Sequence, residues 1–235
     1  MVSIDIMVPV YNEEKCLVNS VEKLRQFLLK HMSSYKCRIV IVDNGSTDST
    51  LDKAKGLSSL YPEVIFMHLD QPGRGHALRE AWSKSPADIV SYMDVDLSTD
   101  LSDFPLLINA VDTDGYDMAI GSRHLPRSRV KRSFKRRLLS WGYNLLVRTM
   151  LKTAFHDAQC GFKALRRDMA DKLIPQAKDQ GWLFDTELII LAKRQGYRIK
   201  EIPVTWTEDV SSTVEILPTV VEAMKFIVRL RKTNV

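Results

Sequence analysis

The residues best equipped for chemistry are Asp94 and Asp96, two carboxylates one residue apart at the end of Asp88-Ile89-Val90-Ser91-Tyr92-Met93. The run from Ile89 to Met93 is mostly apolar and β-prone, as a buried strand should be. In an open α/β sheet, ligands bind outside the carboxyl ends of the strands. Two acids so close at such an edge call for a compensating charge. A divalent cation is the usual one: hard, oxygen-seeking, and often carried with a phosphate. An isolated pair of this kind also occurs as solvated loop acids, so its meaning depends on what else reaches the same edge.

Other strand ends add to it. Ile4 to Val10 reads as a first strand, with Pro9 marking where pairing stops, followed by Tyr11-Asn12-Glu13-Glu14, where Asn12 is an expected helix N-cap. Arg38 to Val42 is a second, nearly all-apolar strand that ends in Asp43-Asn44-Gly45-Ser46-Thr47-Asp48, and Ser46, Thr47 or Asp48 can cap the next helix. Val64 to Leu69 is a third, leading to the glycine-bearing turn Gln71 to Leu78, whose backbone N–H groups and Arg74 can face an anion. Tyr116 to Ile120 is a fifth, ending in Gly121-Ser122-Arg123. Asp43, Asp94 with Asp96, and Arg123 thus belong to one expected edge.

The elements needed to position these groups follow from periodicity. Leu17, Val21, Leu24 and Leu28 share one helical face. Strand and helix alternate through the first half of the chain, which predicts an α/β fold with a mostly parallel central sheet and helices on both faces. Further on, Trp141, Leu145, Leu146, Met150 and Leu151 predict an amphipathic helix, and Asp157 to Ala164 an irregular polar turn. Trp182 to Arg194 predicts a helix, Tyr197 to Trp206 a strand, and residues from Pro218 a last amphipathic helix. No repeat or flexible linker divides the 235 residues. A single domain is expected over 1–235, with halves 1–122 and 123–235.

Composition excludes little. Charged residues make up 27% and the net charge is +5, too mild to argue for nucleic acid. The distribution is more telling, since Arg123 to Arg137 holds eight Lys or Arg and no acid. The three cysteines show no zinc spacing, and no apolar run reaches membrane-span length. These features predict a cytoplasmic protein, with the basic run touching anionic lipid at a membrane surface.

In order along the chain, Val8-Pro9-Val10-Tyr11-Asn12-Glu13, Val42-Asp43-Asn44-Gly45-Ser46-Thr47-Asp48 and Asp94-Val95-Asp96 resemble the GT-A-fold family 2 glycosyltransferases. Gly121-Ser122-Arg123, Asp157 to Phe162 and Phe184-Asp185-Thr186-Glu187-Leu188 resemble its polyprenyl-phosphate branch, the dolichyl-phosphate mannose synthases and glucosyltransferases. The resemblance implies a GT-A-type nucleotide-binding fold and an inverting, metal-dependent transfer of a hexose. The donor would be a UDP- or GDP-hexose and the acceptor a polyprenyl (dolichyl) phosphate. The resemblance would make 1–122 the nucleotide-sugar-binding half and 123–235 the acceptor-binding half. Pro9, Tyr11, Glu13, Asp43, Arg74 and Asp94 would bind the nucleotide sugar. Asp94, Asp96 and Ser98 would hold Mg²⁺ or Mn²⁺, Ser98 standing where relatives often carry Gln. Arg123 would grip the acceptor phosphate with Arg136 and Ser140, which lie at i and i+4 on a helix face. Asp96, Arg123 and Asp157 form the expected catalytic set, Asp157 as a positioning group or as a turn-stabilising acceptor. Transfer to a glycan hydroxyl on the same fold, and a non-catalytic basic module, are the competing readings. Relatives commonly fold a cationic segment over the diphosphate after the last strand. Thr207 to Thr213 contains no cation.

Overall fold

The computed structural model describes residues 1–131, 142, 148–150, 155–208, 226 and 229. Nine strands are present among them: β1 (Ser3–Val10), β2 (Lys36–Asp43), β3 (Val64–His68), β4 (Ile89–Met93), β5 (Met118–Ser122), β6 (Arg129–Lys131), β7 (Phe162–Arg166), β8 (Ile199–Pro203) and β9 (Thr205–Thr207). The α-helices are α1 (Leu17–His31), α2 (Thr50–Leu60), α3 (Arg74–Lys84), α4 (Phe104–Asp112), α5 (Arg167–Leu173) and α6 (Phe184–Arg194).

Seven strands form one sheet in the order β3-β2-β1-β4-β7-β5-β8. Every pairing is parallel except the two made by β7, which runs antiparallel between β4 and β5. The expected α/β sheet is therefore observed, with one reversed strand. Because side chains alternate along a strand, each strand feeds two cores. Ile4, Ile6, Val8, Ile39 and Ile41 pack with Leu17, Leu24, Leu57 and Leu107 on one face. Met7, Val40, Val42, Val90 and Tyr92 pack with Ala77, Trp82, Leu173 and Leu188 on the other. The apolar stripe expected on α1 is buried at Leu17, Val21, Leu24 and Leu28.

Several local expectations are corrected. Asp157 to Ala164 is not one irregular turn, since β7 begins at Phe162. Lys163 breaks the apolar pattern there, yet it is fully buried between β4 and β5. The predicted strand over Tyr197 to Trp206 divides at buried Val204. Its first part joins the main sheet, and β9 pairs with β6 in a separate two-stranded ribbon. Asn12 does not cap a helix: α1 starts at Leu17, and Asn12 has φ 56° with its side chain accepting from the Thr47 backbone N–H at 2.8 Å. The N-cap of α2 is Ser49 and not one of the three expected residues, although Asp48, one residue earlier, accepts from the Thr50 N–H at 2.9 Å. Pro9 stays in register with Val42 on β2, while pairing with β4 ends at Met7.

Arg136, Ser140 and the Asp209 to Thr213 segment lie outside the described residues, as does most of the two helices expected after Trp141 and Pro218. Of those helices Gly142, Arg148 to Met150, Phe226 and Arg229 are helical. Phe226 is buried in the core that contains Trp82 and Leu188, and Arg229 donates to Glu187 at 3.1 Å. Among the described residues no helix is long and apolar enough to cross a membrane.

Candidate functional site

The carboxyl ends of β1, β2, β4 and β5 share one edge because those strands run the same way. Asp43, Asp94, Asp96 and Arg123 stand at the ends of three of them. β7 sharpens this edge. The chain leaves the sheet at Ser122 and re-enters at Phe162, paired with Met93. Re-entry from that edge forces the reversed direction, and it brings residues 157–161 directly against Asp94. The Asp94 N–H donates to the Gly161 carbonyl at 3.3 Å. A Cβ on Gly161 would lie 1.9 Å from an Asp94 carboxylate oxygen, so only glycine leaves room for this acid.

Arg74 is neither solvated nor at the end of a free loop. It opens α3, and its Nη2 donates to Asp94 Oδ1 at 2.8 Å and to the Tyr92 hydroxyl at 3.3 Å. The expected array of anion-facing N–H groups at this helix start is reduced, because His76 N–H donates to Gln180 O and Ala77 N–H to Gly73 O. The cation itself is what α3 delivers. Behind it lies a polar cluster that sequence reading left without a role. Lys163 Nζ donates to the Tyr92 hydroxyl at 3.2 Å and lies 3.5 Å from Asp185, whose carboxylate accepts the Tyr92 O–H. The buried acids and cations neutralise one another, as low-dielectric surroundings demand.

Asp94 has its carboxyl raised above the ordinary range, by crowding from surrounding protein and then by the like charges of Asp96 and Asp185, with Arg74 opposing. Asp96 is exposed, and its two oxygens accept from Ser98: Oδ1 from the backbone N–H at 2.9 Å and Oδ2 from the hydroxyl at 2.6 Å. Ser98, expected as a metal ligand, here donates to Asp96 through both its N–H and its hydroxyl. Among the described residues no group of three or more His, Cys, Asp or Glu is gathered to hold a metal. Two hard carboxylates, one exposed and one electrostatically stressed, fit Mg²⁺ or Mn²⁺, which are commonly held by one or two carboxylates with substrate phosphates completing the shell.

At the end of β2, Asp43 is fully buried, with Oδ2 on His68 Nδ1 at 2.6 Å. Its Oδ1 is buried with no hydrogen-bond partner among the described residues. An orphaned buried acceptor is rare and invites a donor from a ligand. Tyr11 is half exposed beyond β1, and Pro9 is half-buried. Glu13 accepts from the Cys16 thiol at 3.0 Å and its N–H donates to Thr50, which ties this loop to α2.

On the far side, Arg123 is paired with Asp157. Asp157 Oδ2 accepts from Arg123 Nε at 2.7 Å and from its backbone N–H at 3.0 Å, and Oδ1 accepts from Nη2 at 2.9 Å. The guanidinium also lies over the Trp206 ring at 5.5 Å. Asp157 is fully buried; burial alone would raise its pKa, but the Arg123 charge and hydrogen bonds bring it down to about 2. It also accepts from the Gln159 N–H at 3.3 Å, the turn role foreseen as its alternative. Both of its oxygens are engaged by protein groups, so Asp157 is the anchor of Arg123. Arg136 and Ser140 fall outside the described residues.

Comparison with known proteins places this edge in context. A sequence profile described as "Glycosyl transferase family 2" matches residues 5–174. Glycosyltransferase AglD of Haloferax volcanii is 32% identical over 92% of this chain, which spans 35% of that protein's length. Dolichyl-phosphate beta-glucosyltransferase ALG5D of Trichomonas vaginalis is 31% identical over 92% of the chain and 69% of its own length. The Saccharomyces cerevisiae dolichyl-phosphate beta-glucosyltransferase is 33% identical over 87% of the chain and 67% of its own length. Among solved structures, glucosyl-3-phosphoglycerate synthase from Mycobacterium tuberculosis, in complex with Mn²⁺, UDP and phosphoglyceric acid, superposes with a TM-score of 0.69. It is 17% identical, covering 97% of this chain and 77% of its own, a likeness of fold.

Proposed function

The chain belongs to glycosyl transferase family 2 and is a glycosyltransferase, and from that premise we propose that it moves a hexose from a nucleoside-diphosphate sugar to a polyprenyl (dolichyl) phosphate with inversion. The observation that carries this reading is the state of Asp157, the acid paired with Arg123. Both Asp157 oxygens are taken by Arg123, whereas Asp185 accepts the Tyr92 O–H on one oxygen and keeps its Oδ1 buried without a partner among the described residues. A hydroxyl acceptor needs a general base, whereas a phosphate monoester, with a second pKa of about 6, arrives ionised. An acceptor side whose acid is spent on holding Arg123 suits the second acceptor.

The division of labour follows from position. Asp43, with its unpartnered oxygen, would take an N–H from the base, and Pro9, Tyr11 and Glu13 would flank the nucleoside. Asp94 and Asp96 would hold Mg²⁺ or Mn²⁺, which when bound supplies charge neutralisation for the leaving diphosphate. Arg74 would add its charge beside Asp94. Arg123, braced by Asp157 and Trp206, would orient the acceptor phosphate, with Arg136 and Ser140 as further contacts. Phosphate oxygen then bonds to the anomeric carbon as the bond to the diphosphate breaks, and positioning with electrostatic stabilisation carries the rate. The names of the curated relatives make glucose the first hexose to test.

Exposed Arg127, Arg129 and Lys131 flank this acceptor side on and beside β6, which supports peripheral contact of the basic run 123–137 with the cytoplasmic face of a membrane. We treat 1–235 as one functional unit, because β7 and β8 from the acceptor half complete the sheet of the donor half. The test is radiolabelled UDP-glucose or GDP-mannose incubated with dolichyl phosphate, with and without Mn²⁺. Label should enter the organic phase only with the lipid phosphate and the metal. Label that moves instead to a glycan hydroxyl, or never reaches the lipid, overturns the proposal.

A further inference from the structure

Trp182 is the largest side chain near the site that no role yet absorbs. Its side chain is half exposed, at 53%, so the core gains little from an indole there. The backbone that carries it is nonetheless held firmly. Glu187 Oε2 accepts from the N–H groups of Lys178 at 2.9 Å and Asp179 at 2.7 Å. Asp179 Oδ1 in turn accepts from Gly181 at 2.9 Å and Leu183 at 3.2 Å. The loop presses on the first turn of α3, where a Cβ on Gly75 would meet Phe184 Cβ at 2.6 Å and Gly181 O at 2.9 Å. This contact keeps residues 180–184 against the helix that begins with Arg74.

On this anchored loop the indole ring sits 4.9 Å from the Arg74 guanidinium carbon, while the same guanidinium bonds Asp94 at 2.8 Å. An aromatic surface, a cation and a carboxylate thus meet at the rim of the donor site. That set matches a pyranose, which offers an apolar C–H face to a ring and hydroxyls to charged planar groups. Sites for small polar ligands combine an aromatic wall with a few placed polar groups in just this way. We propose that Trp182 is the platform on which the donor hexose rests, a specificity-determining residue acting on the sugar and not on the nucleotide. This deepens the proposed function and rests on it.

The experiment compares each nucleotide sugar with its own nucleoside diphosphate, UDP-glucose against UDP and GDP-mannose against GDP. Binding is measured calorimetrically with Mn²⁺ on the full chain and on Trp182→Ala and Trp182→Phe. Trp182→Ala should weaken the nucleotide sugar by about tenfold, the upper end of one aromatic pairing, and the bare diphosphate by less than about twofold. Trp182→Phe should recover most of the loss, and retained diphosphate binding reports that the variant is folded. Equal losses for sugar and diphosphate would mean that Trp182 works through Arg74 alone, and no loss for either would mean that it does nothing; each overturns the inference. If the unaltered chain binds neither nucleotide sugar, the proposed function falls first and this inference with it.

Discussion

At the residue scale, the site is organised by pairs. Asp94 with Arg74, Asp96 with Ser98, Asp43 with His68 and Arg123 with Asp157 each couple a group at the edge to a partner that holds it. The Asp96 pair gives a graded prediction. Asp96→Asn should lose Mn²⁺-dependent thermal stabilisation by the nucleotide sugar and cut activity on the order of 100-fold. Ser98→Ala leaves both carboxylates and removes only an orienting hydroxyl, so it should cost about tenfold in metal affinity. A Ser98→Ala loss as large as that of Asp96→Asn would mark Ser98 as a ligand. The proposed base-free transfer gives another. The rate should rise through a pH of about 6 with ionisation of the acceptor phosphate and then level off. A limb displaced by a side-chain substitution at Asp157 or Asp185, in a folded variant, would contradict base-free transfer.

At the scale of elements, β7 does most to shape the site. Sequence periodicity reads Asp157 to Ala164 as a turn because Lys163 interrupts the apolar run. Lys163 belongs to a strand nevertheless, because Tyr92 on β4 and Asp185 on α6 offer it partners inside the core. The same strand sets Gly161 beneath Asp94. Gly161→Ala should therefore displace the Asp94 carboxylate and break its bond to Arg74. Nucleotide-sugar binding should fall below detection, with a stability loss of about 1–3 kcal/mol as in other overpacked sites. Calorimetry and urea unfolding check the two parts separately, and intact binding would show that the close approach is not required. The C-terminal segment offers a parallel lesson. The sequence reads it as an amphipathic helix, and of its residues Arg229 is held by Glu187 and Phe226 is buried, so these two are tied to the protein's own core.

At the scale of the whole molecule, burying charges makes stability depend on pH. The Asp157 pKa is held at about 2, below its ordinary 3.8. A depressed carboxylate stabilises the fold above its unfolded pKa, and that contribution is lost as pH falls from about 4 towards 2. The difference corresponds to about 2 kcal/mol. Asp157→Asn should flatten this part of the acid limb in urea unfolding at pH 7, 4 and 2.5. At pH 7 it should destabilise by about 3 kcal/mol, because Arg123 is left buried without its counter-charge. An unchanged acid limb would place the pH sensitivity elsewhere.

What the sequence determined by itself was the chemistry at the strand ends. Apolar runs must be buried, a run with a polar terminus must deliver that terminus to an edge, and parallel order brings the edges of β2, β4 and β5 together. Asp43, Asp94, Asp96 and Arg123 were legible for that reason, as was the α1 face. What the tertiary structure alone decided was pairing. That Asp157 meets Arg123, that Ser98 reaches Asp96 and that Trp182 overlies Arg74 depend on which strand lies beside which. That order is set by long-range packing of two cores against a single sheet, and no local period in the chain encodes it.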